Sequence, residues 1–308
     1  MLDVKERAVG GFLALACGDA LANGAEFQPR GSYHITDMTS ANRFLPVGQW
    51  SDDTGLALCL AESVLACQGF NPHDQIQRYI HFYQKGEGWP LDHRLFPGNT
   101  LNQALQRYQN DPDNPFAGSD HPLSAGNGGL MRLLPVVLAS HNQDDLCIQW
   151  AIDSTRVTHG AEECLQASKL LALIITQLLH GADRDTALKV GADLHWSSSK
   201  IAALAKGGYS HKPIEALQAK AYVVNTLEAA LWCFATTDTL KDALLVAANL
   251  GDDCDTVAAV TGQLAGCYYG PIAIPDDWLS VLSERQRMTT LAEQLVCFSL
   301  NHREQGNG

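Results

Sequence analysis

Two short acidic clusters, Ser51-Asp52-Asp53-Thr54 and Asp252-Asp253-Cys254-Asp255-Thr256, lie far apart in the chain, and each opens an apolar helical pattern rich in small residues. The first pattern carries Ala57, Leu58, Cys59, Leu60, Ala61, Val64, Leu65 and Ala66; the second runs from Val257 to Cys267. Neither leaves a polar face, and a helix that is apolar on every side belongs in a core. Gly262 and Gly266 would further let another helix approach the second one closely. The fold must therefore bury two helices whose first turns are charged. A helix N-terminus offers about half a positive charge, too little to balance Asp52, Asp53, Asp253 and Asp255.

For either cluster alone the simplest reading is an N-cap, because Ser, Thr and Asp oxygens accept hydrogen bonds from the orphan N–H groups of a first turn. The pair asks for more. If the two helix starts converge, several carboxylates are buried without partners, which costs many kcal/mol unless they are neutralised or ligate cations. The available ligand atoms are hard oxygens, which select Mg²⁺, Mn²⁺ or Ca²⁺ over zinc, and the Asp/Ser/Thr mixture suits octahedral Mg²⁺ or Mn²⁺ best. The donor set is large enough for two ions, the number used by hydrolases of the two-metal kind.

A chain of 308 residues with 46% hydrophobic content can bury a substantial core, and no break in composition divides it. We expect a single domain over 1–303 and a disordered tail at 304–308. The net charge of −13 disfavours nucleic acid as a partner. No apolar run appears long enough to span a bilayer; Leu170 to Leu179, for instance, is interrupted by Thr176 and Gln177. The first residues lack a signal-peptide cleavage pattern. The nine cysteines, an odd number without C-x-x-C spacing, fit reduced core positions in a cytoplasmic protein. An acidic surface with no apparent exposed apolar stripe favours a monomer.

Apolar periodicity predicts an all-α fold, with helices over 4–21, 51–68, 73–84, 98–109, 129–140, 144–154, 160–180, 184–194, 219–235, 239–250, 255–269 and 283–300. Residues 26–50 and 195–218 are the longest non-periodic segments and are candidate site walls, since long loops in compact domains are usually functional. A third candidate is Ser124-Ala125-Gly126-Asn127-Gly128-Gly129, whose glycines free backbone N–H groups next to a helix start, as an anion site requires.

These motifs occur in a recognisable order. Val9-Gly10-Gly11-Phe12-Leu13-Ala14-Leu15-Ala16-Cys17-Gly18-Asp19-Ala20-Leu21, Ser51-Asp52-Asp53-Thr54, Gly126-Asn127-Gly128-Gly129-Leu130-Met131-Arg132, Thr158-His159 and Gly251-Asp252-Asp253-Cys254-Asp255-Thr256 succeed one another as in the ADP-ribosylglycohydrolase family, which the chain resembles from about residue 6 to 285. Ala221-Tyr222-Val223-Val224-Asn225-Thr226-Leu227-Glu228 and Ala265-Gly266-Cys267-Tyr268-Tyr269-Gly270 look most like the bacterial branch that reactivates dinitrogenase reductase. The resemblance implies a compact, orthogonal multi-helix fold with a dinuclear Mg²⁺ or Mn²⁺ centre in a cleft. It also implies cleavage of the bond between ADP-ribose and a modified protein side chain, with ADP-ribose as product.

Carried over by position, the family's metal ligands fall on Ser51, Asp52, Asp53, Asp253, Asp255 and Thr256. Asp52 or Asp253 would act as general base, and Glu26 as a gate or ligand near the metals. Gly126, Asn127, Gly128 and Gly129 would hold the distal ribose or diphosphate, Asn99 and His159 would line the cleft, and Tyr222 would stack on adenine. Asn99 and His159 have plain capping alternatives, and Tyr222 a plain core one. One departure bears on specificity: relatives acting on ADP-ribosyl-arginine commonly carry an Asp just before the Gly-Asn-Thr motif, whereas here Leu95-Phe96-Pro97 precedes Gly98-Asn99-Thr100. Asp92 would have to substitute, or the linkage is not to arginine. A catalytically silent binding relative is the main competing class, and it predicts missing ligands. A His-Asp phosphohydrolase, suggested by His73-Asp74, lacks a second histidine cluster.

Overall fold

The computed structural model describes residues 2–38, 45–91 and 95–306. Among them the expected all-α architecture is found, with no strand beyond two isolated bridges, Ser119 to His159 and Gly126 to Tyr222. The helices are α1 (Val4–Ala22), α2 (Asp52–Cys67), α3 (Pro72–Lys85), α4 (Asn99–Asn110), α5 (Gly128–Met131), α6 (Leu134–Ser140), α7 (Asp144–Arg156), α8 (Glu162–Leu179), α9 (Arg184–Leu188), α10 (Ser199–Ala205), α11 (Val223–Thr236), α12 (Leu240–Ala248), α13 (Cys254–Tyr269), α14 (Asp276–Val281) and α15 (Arg285–Gly306).

The two apolar helices are central, as their patterning requires. Leu56, Ala57, Leu58, Leu60, Ala61 and Val64 of α2 are buried, as is α13 from Cys254 through Cys267. α13 makes the most extensive helix contact in the molecule, and it makes it with α1. Glycines set the approach: a side chain at Gly262 would lie 2.2 Å from the Ala14 carbonyl oxygen, and one at Gly266 would lie 2.2 Å from that of Gly10. A side chain at Gly18 would likewise stand 2.3 Å from the Ala258 carbonyl oxygen. This pairing of 10 with 266, 14 with 262 and 18 with 258 makes the helices antiparallel. The C-terminal end of α1 therefore meets the first turn of α13, where the Cys254 thiol faces the Ala22 carbonyl at 3.8 Å.

Several boundaries differ from the periodicity. The helix predicted over 129–140 breaks between α5 and α6, because Pro135 has no N–H to return to the Met131 carbonyl four residues back and is instead accommodated in the first turn of a new helix. The one predicted over 184–194 stops at Leu188, and the segment 195–218 holds α10, a short helix started by the Ser198 side chain accepting from Ile201 N–H. α14 follows Pro275 and is too short to register as a period. α15 continues to Gly306, because nothing between residues 300 and 305 breaks a helix; the tail expected at 304–308 is thus helical over 304–306, and 307–308 lie outside the described residues.

One segment, Val4–Ala25, is long and apolar enough to cross a membrane, contrary to the expectation that none is, but 94% of its apolar window is buried inside the protein. Its composition answers to the core contact with α13. All nine cysteines are free; seven are buried, Cys67 is exposed and Cys297 is half-buried.

Candidate active site

The first turn of α2 is capped from another helix. Asp19, fully buried on α1, accepts hydrogen bonds from the backbone N–H of Ser51 (2.8 Å), the N–H of Thr54 (3.0 Å) and the Thr54 hydroxyl (2.6 Å). Ser51 sits at the N-cap position but makes no side-chain cap bond; its Oγ donates instead to Asp53 Oδ2 at 3.2 Å. Because Asp19 accepts the Thr54 N–H that an N-cap side chain would otherwise take, the side chains of Ser51, Asp52 and Asp53 are not needed as caps and are available for another task. Asp19 has no role among the sequence-based expectations, although it is the one charged residue between Ala8 and Ala22. A lone acid in a core helix is the signal that finds it.

The first turn of α13 is held differently. Asp253 donates its N–H to the Ala219 carbonyl at 2.8 Å, and its Oδ2 accepts from Asn127 Nδ2 at 2.5 Å. Asn127 also donates to Thr226 Oγ1 at 2.9 Å, so the glycine loop, α11 and α13 are tied at one point. Asp255 Oδ1 accepts from Thr256 N–H at 2.9 Å. Glu26 arrives from the segment after α1, which is locked by a reciprocal backbone pair: Phe27 N–H to Asp252 carbonyl (2.6 Å) and Asp252 N–H to Gln28 carbonyl (2.9 Å). Phe27 and Asp252 both have left-handed backbone, with φ of 61° and 53°. One carboxylate oxygen each from Glu26, Asp253 and Asp255 lies within 4.8 Å of the other two.

The electrostatics put both clusters in one field. Burial drives the Asp53 carboxyl well above the usual carboxylate range, and the charges of Asp19, Asp52 and Asp253 push it further. Asp255 is raised well above its ordinary value by burial, then by Glu26, Asp53 and Asp253. Glu26 is pushed up to about 8 by burial and then by Asp52 and Asp253. Asp52 and Asp253 are also raised, chiefly by burial, although Asp52 accepts a hydrogen bond from the Tyr83 hydroxyl at 2.6 Å. Carboxylates gathered this way favour either protons or cations. Asp53 Oδ1 is buried without a hydrogen-bond partner among the described residues, and such an oxygen amid hard donors fits a divalent cation.

The acids open onto a cleft of about 730 Å³. Of the sequence-predicted residues, Glu26, Ser51, Asp52, Asp53, Asn99, Gly126, Asn127, Gly128, His159, Asp253 and Thr256 line it, together with Phe27 and Phe96. Asp255 is 2% exposed and stands behind this lining. Gly129 also lies off the wall, packed on Thr155, where an added side chain would meet Thr155 Cγ2 at 2.5 Å. Tyr222 adjoins the cleft without lining it: its backbone bridges Gly126 and its hydroxyl bonds Glu163 and Lys200 Nζ (2.6 Å for the lysine). Of the two non-periodic segments, 26–50 contributes to the cleft wall, while 195–218 lines only a smaller pocket of about 380 Å³ beside Glu163 and Lys200.

The capping alternatives for Asn99 and His159 do not describe their contacts. Gly98 is the N-cap of α4, and Asn99 Oδ1 accepts from Gln103 Nε2 at 3.3 Å. His159 is buried under the glycine loop, with Nδ1 2.7 Å from Thr158 Oγ1; burial and then Arg132 lower its pKa to about 3, so the imidazole is neutral. A side chain on Gly128 would meet His159 Cε1 at 2.7 Å, which explains glycine there. His73 and Asp74 serve the start of α3, where Asn71 caps both of their N–H groups and Asp74 pairs with Arg78 at 2.6 Å. Asp92 lies outside the described residues.

Known proteins resemble this chain over nearly its whole length. Residues 1–305 match the family model described as ADP-ribosylglycohydrolase. The chain is 34% identical to the ADP-ribosylarginine hydrolase Tri1 of Serratia proteamaculans, over 94% of this chain and 79% of that protein. It is 31% identical to the ADP-ribosyl-[dinitrogen reductase] glycohydrolase of Rhodospirillum rubrum, over 91% of this chain and 91% of that one. A solved structure titled as an ADP-ribosylglycohydrolase-related protein complex superposes with a TM-score of 0.85 at 40% identity, covering 97% of this chain and all of that one.

Proposed function

The chain belongs to the ADP-ribosylglycohydrolase family, and we propose that its two acidic helix starts hold two Mg²⁺ or Mn²⁺ ions at which ADP-ribose is hydrolysed from modified arginine side chains. The enzyme is a hydrolase that removes ADP-ribose from protein. The observation that carries the proposal is the buried, unpartnered Asp53 Oδ1 in the same field as Glu26, Asp253 and Asp255. Ser51, Asp52, Asp53, Asp253, Asp255 and Thr256 are the proposed ligands, and all six residue types expected of the family are present. That completeness weighs against a silent relative. Residues 1–303 form one domain in this reading, supported by a single continuous cluster of buried apolar side chains; we also take the protein to act as a cytoplasmic monomer.

Departure of the side-chain nitrogen builds positive charge at the anomeric carbon, so the site must hold the ribose, stabilise that charge and deliver water. Divalent cations, when bound, supply Lewis acidity and a template for the ribose hydroxyls. The chain's own groups do the rest. Asp52, held by the Tyr83 hydroxyl, and Asp253, held by Asn127 and at 3.4 Å by the Thr256 hydroxyl, are the two candidates for taking the proton of the attacking water. The Gly126–Gly128 loop forms the wall against which the diphosphate would lie, although its Gly126 and Asn127 N–H groups already donate to the Ser124 and Ala221 carbonyls; Asn99 and neutral His159 complete the wall, and Tyr222, braced by Glu163 and Lys200, stands at the adenine end.

The test is release of ADP-ribose from arginine-modified protein with added Mg²⁺ or Mn²⁺, with EDTA, and against serine-linked substrate. We expect EDTA to abolish release and either metal to restore it. Full activity in EDTA would remove the metal role; release from the serine linkage alone would remove the arginine assignment.

A further inference from the structure

We propose that Phe27 and Phe96 form an aromatic clamp at the cleft mouth that receives the guanidinium of the modified arginine. The inference rests on the arginine reading above and addresses how this cleft recognises a guanidinium when Leu95-Phe96-Pro97 stands where an acid is expected.

Both rings line the catalytic cleft and yet face solvent: Phe27 is 74% exposed and Phe96 is 89% exposed. Among the described residues lining this cleft they are the aromatic side chains other than His159, which is buried in the floor. Single exposed apolar residues need no explanation, but two phenyl rings on one cavity are a different matter.

Phe27 is also held in place at a cost. Its φ of 61° is in the left-handed region, which a bulky residue with a Cβ adopts only when the surroundings force it. The forcing contacts are the hydrogen bonds to and from Asp252, itself at φ 53° and adjacent to the ligand candidate Asp253. The same turn therefore positions Glu26 toward the acids and Phe27 toward the opening. A core role cannot account for the strain, because the ring is not in the core.

The chemistry of the occupant follows from the cleft. Among the described residues its lining contains Glu26, Asp52, Asp53 and Asp253 and no lysine or arginine, a charge balance that attracts cationic groups to its entrance. The group entering with an arginine-linked substrate is planar, delocalised and weakly hydrated, and it stacks on aromatic faces where an ammonium would stay in water. Phenyl rings attract it through their quadrupole by about 0.5–1 kcal/mol when exposed and about 2 kcal/mol when desolvated. They add no further negative charge to a site already rich in it, and a ring also leaves the departing guanidine free of an ion pair that would slow its release.

The experiment uses the full-length protein and the small conjugate ADP-ribosyl-arginine, with Phe27→Leu, Phe96→Leu, the double variant and Phe96→Tyr. Leucine keeps apolar bulk and removes the π-face; tyrosine keeps the face. We expect KM for the conjugate to rise about tenfold in the double variant and to stay within about twofold of wild type in Phe96→Tyr. Affinity for ADP-ribose, which has no guanidinium, should be unchanged by calorimetry. Phe96 is nearly free of packing, so Phe96→Leu alone decides the matter if the Phe27 variants fail to fold. An active wild type with unchanged KM in the leucine variants would overturn the clamp and leave the enzyme's function standing. Equal loss of ADP-ribose affinity would also overturn it, by assigning the rings to the nucleotide. A wild type that does not cleave the conjugate would overturn the arginine reading itself, and the clamp with it.

Discussion

The first turns of α2 and α13 carry similar residues but are fastened in different ways. α2 borrows its cap: Asp19 of α1 takes two of its N–H groups and a hydroxyl, and Ser51, Asp52 and Asp53 are left to face the cleft. At α13 the site's own acids are part of the fastening, with Asp253 gripped by Asn127 and Asp255 accepting from Thr256 N–H. A buried helix start can thus present acids either by delegating the cap to a distant residue or by letting acids do both jobs. The first arrangement concentrates stability in one residue outside the site; the second spreads it across a loop that also lines the cleft.

The largest effects should fall equally on the two sides if, as proposed, both clusters serve one centre. Asp53→Asn and Asp255→Asn are each expected to lower ADP-ribose release by at least about a hundredfold, because each takes an anionic oxygen from the proposed ion site. Manganese binding followed by calorimetry should weaken in parallel. A variant that loses activity on one side only would break the symmetry.

Next comes the cap. Asp19→Ala should destabilise the protein by about 2–4 kcal/mol, since it strands buried N–H groups in addition to removing their acceptor. Asn127→Ala should cost about 1 kcal/mol of stability while harming catalysis more than Asp19→Asn does. Denaturant unfolding beside activity separates these: equal stability losses for Asp19→Ala and Asn127→Ala would show that the two starts are fastened alike.

The α13 side should also be the more acid-sensitive one, through His159 beneath the Gly126–Gly128 loop. Its folded-state pKa is lowered to about 3, by burial and then by Arg132. A histidine kept neutral by the fold contributes its stability in full above the unfolded pKa of about 6.5 and loses it as pH falls from there toward the folded value. At pH 5.5 the loss attributable to this one group is about 1.4 kcal/mol. Unfolding of wild type and His159→Asn compared between pH 7.5 and 5 should show a shallower decline in the variant. Parallel curves would mean that the imidazole is protonated in place.

Much of this was legible from residue order. The all-round apolar patterns of α2 and α13 announced burial, Gly262 and Gly266 announced a close helix neighbour, and the acids at the helix starts announced charge that needs compensation. What could not be read was long-range partnership. Nothing near Ser51 indicates that its cap lies on α1, or that Tyr83 and Asn127 reach Asp52 and Asp253, because hydrogen bonds between distant elements leave no periodic trace. Short helices such as α10 and α14 span too few turns for a period to show. Phe27 illustrates a third limit: a left-handed backbone at phenylalanine has no signature in composition, and only the paired Asp252 turn makes it necessary.

The smallest effect is the one that best resolves the comparison. Asp52 and Asp253 are both candidates for the general base, and each accepts one hydrogen bond from a residue on a different element, Tyr83 on α3 and Asn127 before α5. Tyr83→Phe removes a single donor from Asp52, and its ring still packs edge-on to Phe82, where the centroids are 5.1 Å apart. Stability should fall by about 1 kcal/mol. If Asp52 takes the proton, kcat should fall several-fold with KM unchanged, because the hydroxyl fixes the carboxylate's orientation and does not touch substrate. If Asp253 takes it, Tyr83→Phe should leave kcat near the wild-type value, and Asn127→Ala should produce the kcat effect instead. Equal kcat losses in both variants would mean that orientation of each carboxylate matters to one shared centre, and the division of labour between the two helix starts would then hold for folding but not for catalysis.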